Sequence, residues 1–317
     1  MRKIAVIGGG TGTFMLLKGL KKYTADLTAI CTMFDSGGSA GILRDEFGFL
    51  PPGDIRRAIL ALAPESSETR ILRELFNYRF AKGNGLSGHN FGNLLLTALK
   101  DITKDELGAI YEASRIFNIK GKVLPVTLDC ANLCAELENG QIITGETNID
   151  IPKHDSSLKI KRVFLDSTAR ILPDAAEGIL DAEIIVIGPG DLFTSLIPNL
   201  LVDGAADAIK RSIAKKVFVC NIMTKNGETA DFKASDFLNT IEAYLGKNVL
   251  THFIVNNKKC SDVFLKKYAE ENAFQVDIDE KLFLRNDIKI ISGDFVNDLE
   301  IVRHDSNKIA KAIIELP

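Results

Sequence analysis

The chain has 317 residues, 46% hydrophobic and 26% charged, with a net charge of −3, ordinary values for a soluble globular protein of one large or two smaller domains. That charge gives no electrostatic case for nucleic-acid or membrane-surface binding, and no apolar run reaches the roughly 18 residues of a membrane span. Five cysteines lack a CxxC pair, and the spacing of Cys130 and Cys134 fits no common zinc site, so all read as reduced, packed residues of a cytoplasmic protein without a signal peptide.

The first element is a buried strand over 4–7, followed at once by Gly8-Gly9-Gly10-Thr11-Gly12-Thr13 and a helix with Phe14, Leu17 and Leu20 at helical spacing. A glycine-rich turn between strand and helix points backbone N–H groups at the helix's positive end, a ready anion site. This predicts a phosphate or diphosphate held around Gly9, Gly10, Thr11, Gly12 and Thr13; the alternative is a tight turn with no ligand. The dinucleotide fingerprint is broken, because Thr13 or Met15 falls where its last glycine belongs, and no Lys-Ser or Lys-Thr pair completes a P-loop.

Further buried strands are predicted over 27–33, 122–127, 183–187, 216–221, 250–255 and 289–292. Helical patterns fill 54–63, 69–79, 91–100, 105–117, 173–181, 205–214, 234–245, 261–271 and 305–314. Alternation of this kind means a Rossmann-like, doubly wound α/β fold with a mostly parallel sheet, read as a single domain over 1–317. Residues 42–118 read as a helical insertion after the second strand, capping the crevice at the strand ends or simply packing as a long crossover. The segment 132–149 reads as a small β-hairpin turning at Asn139-Gly140.

Clusters of small and polar residues sit where strands end. Asp35 and Ser36 open Asp35-Ser36-Gly37-Gly38-Ser39 after the second strand. A carboxylate there can hold a ribose hydroxyl, coordinate Mg²⁺ or accept a proton, or it can close an Asx-turn. In Pro51-Pro52-Gly53-Asp54-Ile55-Arg56-Arg57, Asp54 is a good N-cap, and Arg56 and Arg57 lie in the first turn, where an arriving anion would relieve their conflict with the helix dipole. Either arginine can instead pair with Asp45 or Glu46. Gly88-His89-Asn90-Phe91-Gly92-Asn93 offers Asn90 as an N-cap, His89 as a phosphate donor and Asn93 beside them. Gly188-Pro189-Gly190 and Asn221-Ile222-Met223-Thr224 repeat the opening logic, so Gly188, Gly190, Asn221 and Thr224 join the candidate crevice. No nucleophilic triad can be assembled, and Asp35 and Glu228 are the best acid/base candidates.

Together these clusters, with Thr194-Ser195, Pro198-Asn199-Leu200 and Gly227-Glu228-Thr229, occur in order over about residues 3–232 and resemble the gluconeogenesis factor family of the 2-phospho-L-lactate transferase-like superfamily. The resemblance implies a cytoplasmic Rossmann-like protein that binds uridine-diphosphate sugars and supports growth and cell shape on gluconeogenic carbon sources. It leaves enzymatic turnover open. The related transferases join a phospholactyl or phosphoenolpyruvyl group to a deazaflavin riboside, using a guanosine diphospho-conjugate and Mg²⁺, and Asp35 occupies the place of their acceptor-contacting acid. No other cofactor is implied, and the expected partner is a nucleotide diphosphate sugar, with a homo-oligomer as an option. One departure is Asp191, where a small hydroxyl residue is expected: a carboxylate there would repel a phosphate, so that loop should face a sugar or a metal, or hold no phosphate.

Overall fold

In a computed structural model of the protein, residues 2–67, 69–297 and 301–316 are described. Seven parallel strands form the main sheet: β1 (Ile4–Gly8), β2 (Leu27–Cys31), β3 (Lys122–Pro125), then, after three strands of a separate small sheet, β7 (Ile184–Ile187), β8 (Lys215–Val219), β9 (His252–Asn256) and β10 (Lys289–Gly293). Their order is β10-β9-β8-β7-β1-β2-β3. Helices cover both faces, which is why these strands carry Ile, Val, Leu and Ala without polar alternation; β1 and β7 are buried at every residue.

The register sets β1 between two partners: Ile4 lies opposite Leu27 of β2 and Ile184 of β7. The chain runs outward from β1 through β2 and β3, then returns to the other side at β7. That reversal opens a crevice at the strands' C-terminal ends, where open α/β sheets take ligands. The glycine-rich loops after β1 and β7 meet there.

Five helices fill the long connection from β2 to β3: α2 (Gly38–Phe47), α3 (Gly53–Leu62), α4 (Arg70–Asn77), α5 (Phe91–Thr103) and α6 (Glu106–Ile116), preceded in the chain by α1 (Gly10–Leu20) behind the glycine loop. The pattern reading missed α2, whose Gly-Ser-Ala-Gly start masks it as a loop. The hairpin is present as β4 (Leu133–Leu137) and β5 (Ile142–Thr144), but a third strand, β6 (Ile160–Leu165), also pairs antiparallel with β4. A short helix, α7 (Glu146–Asp150), follows β5 and faces the crevice. Beyond the sheet, β11 (Val296–Asn297) and β12 (Arg303–His304) pair, and the helix Ser306–Ile314 packs on α1. Among the described residues no helix is long and apolar enough to cross a membrane.

Candidate functional site: a two-lobed crevice at the glycine loop

The glycine loop is built by contacts a side chain would forbid. A Cβ on Gly12 would lie 2.5 Å from the Pro189 carbonyl oxygen, so the loops after β1 and β7 touch backbone to backbone. Thr13 strengthens this seam by donating its hydroxyl to the same Pro189 carbonyl at 3.2 Å. Gly10 takes φ +69, and its would-be Cβ has only Ser195 Oγ nearby, at 3.4 Å. Gly12→Ala should therefore cost about 1–3 kcal/mol by overpacking, and Gly10→Ala about 1 kcal/mol from backbone strain alone. Urea midpoints that reverse this order would contradict the seam.

Asp54 corrects its predicted role. Pro52 occupies the N-cap of α3, and no side chain caps that helix. The Asp54 carboxylate instead crosses to the glycine loop, accepting the Gly10 N–H at 2.9 Å and Arg57 Nη1 at 2.9 Å. The next N–H groups of α1, at Thr11 and Gly12, have no intrahelical acceptor by position and lie at the crevice.

Two adjacent cavities share Gly10, Thr11, Asp150, Ile151 and Asp191. The larger, 530 Å³, has apolar walls from Met15, Ile222, Met223 and Val302, with Gly190, Asn221, Thr224 and Arg303 adding polar groups. His304 also lines it; burial drives its imidazole down to about 4, so the ring is neutral near pH 7. The smaller chamber, 340 Å³, is lined by Thr32, Asp35, Asp54, Arg57, Glu146, Asp150 and Asp191. Asp35 closes an Asx-turn by accepting the Gly37 N–H at 2.9 Å. Ser36 stands behind the chamber, its Oγ accepting the Thr147 N–H of α7 at 3.1 Å.

Among the candidates, Gly10, Thr11, Gly12, Asp35, Gly190, Asn221 and Thr224 thus line one crevice. Gly9 and Gly188 sit behind it in close packing. Arg56, His89, Asn90 and Asn93 instead form a buried polar network that lines neither cavity. Arg56 donates to Asn93 Oδ1 at 3.0 Å and Asn77 Oδ1 at 2.9 Å, and burial pulls its guanidinium down to about 10. Asn90 caps α5, as predicted, by accepting the Asn93 N–H at 3.2 Å. Ser39 Oγ accepts the Asn90 N–H at 3.2 Å and the Asn93 amide at 3.3 Å. Its own proton is then directed at His89 Nδ1, 3.2 Å away.

The residue that sequence reasoning missed is Lys225. Its ammonium contacts Asp150, Asp191 Oδ2 at 2.9 Å and Glu228 Oε1 at 2.9 Å. Burial works against that charge, but Glu228, Asp191 and Asp150 outweigh it and hold the amine above the ordinary lysine range. The shared ammonium thereby offsets part of the Asp191 charge in place. These three carboxylates are the one group of three among the described residues close enough together to hold a metal ion, and the Lys225 ammonium already occupies that role. They do not fit Mg²⁺ in this arrangement. Glu228 is buried against the turn at 192–196, accepting the Phe193 N–H and the Thr194 hydroxyl at 3.3 Å each, and does not face Asp35.

Glu146 is the acid that faces Asp35. Burial, then Asp35 and Asp150, push its carboxyl from an ordinary 4.5 up to about 8. Burial also raises Asp35. A folded-state value above the unfolded one means the native state holds the extra proton. The associated stability is full below pH 4.5 and is lost as pH rises through 8. Glu146→Gln removes that loss, so its urea midpoint relative to wild type should rise from pH 5 to pH 9. A flat difference across that range would contradict the assignment.

The family model for 2-phospho-L-lactate transferase CofD matches residues 4–296. A gluconeogenesis factor of Halalkalibacterium halodurans is 44% identical over 316 residues, covering 99% of this chain and 96% of the relative. That of Bacillus subtilis is 40% identical over 316 residues, covering 99% and 98%. A crystal structure of a Bacillus halodurans protein superposes with a TM-score of 0.93 at 43% identity, covering 99% of each chain. The site's seam, crevice and acidic chamber therefore sit in a fold and a sequence shared end to end with these proteins, and the chain belongs to the gluconeogenesis factor family, among the proteins carrying the CofD domain.

Proposed function

We propose that the protein binds a nucleotide diphosphate sugar, a uridine-diphosphate sugar such as uridine-diphosphate N-acetylglucosamine, and acts by binding as a cytoplasmic regulator of growth and cell shape on gluconeogenic carbon. The observation that carries this reading is that Gly10 and Thr11 stand in the walls of both cavities. The 530 Å³ lobe suits a nucleoside in size and in its mix of apolar walls with amides and hydroxyls. A diphosphate fits the junction, against the Thr11 and Gly12 N–H groups at the positive end of the 11-residue helix α1. The sugar then enters the acidic chamber, where carboxylates accept its hydroxyls.

Calorimetry with uridine-diphosphate N-acetylglucosamine tests the reading, and the absence of heat with any uridine-diphosphate sugar would end it. Asp35→Asn should weaken binding by about 1–3 kcal/mol, because a charge-assisted hydrogen bond becomes neutral. The facing of Asp35 and Glu146 favours a second reading, a transferase in which this pair moves a proton at the acceptor hydroxyl. In that case wild-type protein converts its nucleotide over hours and Asp35→Asn lowers turnover roughly 10²-fold. An intact nucleotide after that incubation excludes it.

A further inference from the structure

The small chamber carries more information than a place for a sugar. Its wall presents Asp35, Asp54, Glu146, Asp150 and Asp191. Arg57, the one cation lining it among the described residues, already pairs with Asp54 at 2.9 Å, and Lys225 already binds Asp150 and Asp191. Asp35 and Glu146 line the chamber together without an ion pair to a cation of their own among the described residues; Asp35 accepts the Gly37 N–H at 2.9 Å, and Glu146 accepts the Thr147 hydroxyl at 3.1 Å and a backbone hydrogen bond from Ser36. A second, independent feature marks the same chamber. Thr32 lines it at 4% exposure, and its hydroxyl is buried with no hydrogen-bond partner. Such a group costs free energy unless a ligand satisfies it.

We propose that this chamber selects by charge: it accepts a neutral, polyhydroxylated sugar through Asp35, Glu146 and the Thr32 hydroxyl, and rejects sugars that carry a carboxylate. This rests on the nucleotide-sugar reading and deepens it. A neutral hexose brings hydroxyl donors to the two carboxyl groups and a partner to Thr32. A uronic acid replaces one CH₂OH with a carboxylate in a chamber whose cations are already engaged. Burial, with the charges of Asp35 and Asp150, already pushes the Glu146 carboxyl up, and an added carboxylate would meet the same surroundings. Repulsive groups of this kind confer specificity that attractive contacts alone do not.

Calorimetry with UDP, UDP-glucose and UDP-glucuronate, which differ only at the sugar, tests the proposal. Wild-type protein should bind UDP-glucose about 30-fold more tightly than UDP-glucuronate, as expected for like charges brought together in a partly buried site. Glu146→Gln, which keeps the shape and removes one acid, should narrow that ratio roughly tenfold at pH 9, where the glutamate is ionised, and leave it nearly unchanged at pH 6, where the glutamate is protonated. Thr32→Val should weaken UDP-glucose about fivefold and leave UDP unchanged, a split that a purely structural threonine would not produce. Equal affinity for the two sugars, or a ratio unmoved by Glu146→Gln at pH 9, overturns the proposal while UDP binding preserves the nucleotide-sugar reading. Failure of all three ligands to bind overturns both.

Discussion

Lys225→Met is expected to lower stability by about 3 kcal/mol at pH 8, with most of the loss recovered at pH 5. The side chain keeps its length and apolar stem but no longer neutralises Asp150, Asp191 and Glu228. Leaving a buried charge without its partner typically costs 3–5 kcal/mol, and the lower end applies because the Lys225 side chain is 29% exposed. The pH dependence follows from Glu228. Burial already drives its carboxyl up to about 7 in the presence of the ammonium, and losing that cation raises it further. A folded-state value above the unfolded one favours the protonated native form, so the variant's deficit grows as pH rises from 5 to 8. Urea denaturation at both pH values measures this. A deficit that is the same at pH 5 and pH 8 would show that the three acids do not depend on Lys225.

Gly19→Val is the second large effect, and it arises from packing rather than from charge. A Cβ on Gly19 would sit 1.9 Å from the Ser306 carbonyl oxygen and 2.9 Å from the Ala310 Cβ. Neither is the far end of a flexible side chain, so α1 and the helix Ser306–Ile314 must separate. The expected cost is at least about 3 kcal/mol, at the upper end of overpacking effects. Gly85→Ala is the matched control. Its Cβ would meet nothing within 4 Å, and its φ of +83 alone should cost about 1 kcal/mol. Equal urea midpoints for the two variants would mean that the helices do not pack as described. Because α1 also presents the Thr11 and Gly12 N–H groups, Gly19→Val should weaken nucleotide binding as well.

The sheet was legible because its central strands are buried on both faces: Ile184 to Ile187 and Val217 to Val219 stand out as short apolar runs whatever their neighbours. Loops were legible where glycine was forced by close approach, as at Gly12. What failed was everything set by distance in space. Asp54 has the spacing of an N-cap but finds the Gly10 N–H, 44 residues away, because the two loops converge at the sheet edge. Lys225 stands between two motif pieces without belonging to either, and its importance comes from Glu228 three residues on and from acids on two other segments. Glu146 reads as the end of a hairpin, and only the fold turns it toward Asp35. His89 and Asn93, prominent as a motif, are used inside the protein to join α2, α3 and α5 through Ser39 and Arg56.

The strand order has a consequence for how the protein is made. β1 leaves the ribosome early, yet one of its two partners, β7, begins only at Ile184. At ~5–20 residues per second, translation takes ~10–40 s to span that interval. Throughout it, one edge of the fully buried strand β1 has no partner, and such unpaired edges invite pairing with other chains. Nascent chains stalled before β7 should therefore be cut by protease within residues 4–20 and should recruit holdase chaperones. Release of the full-length chain should end both.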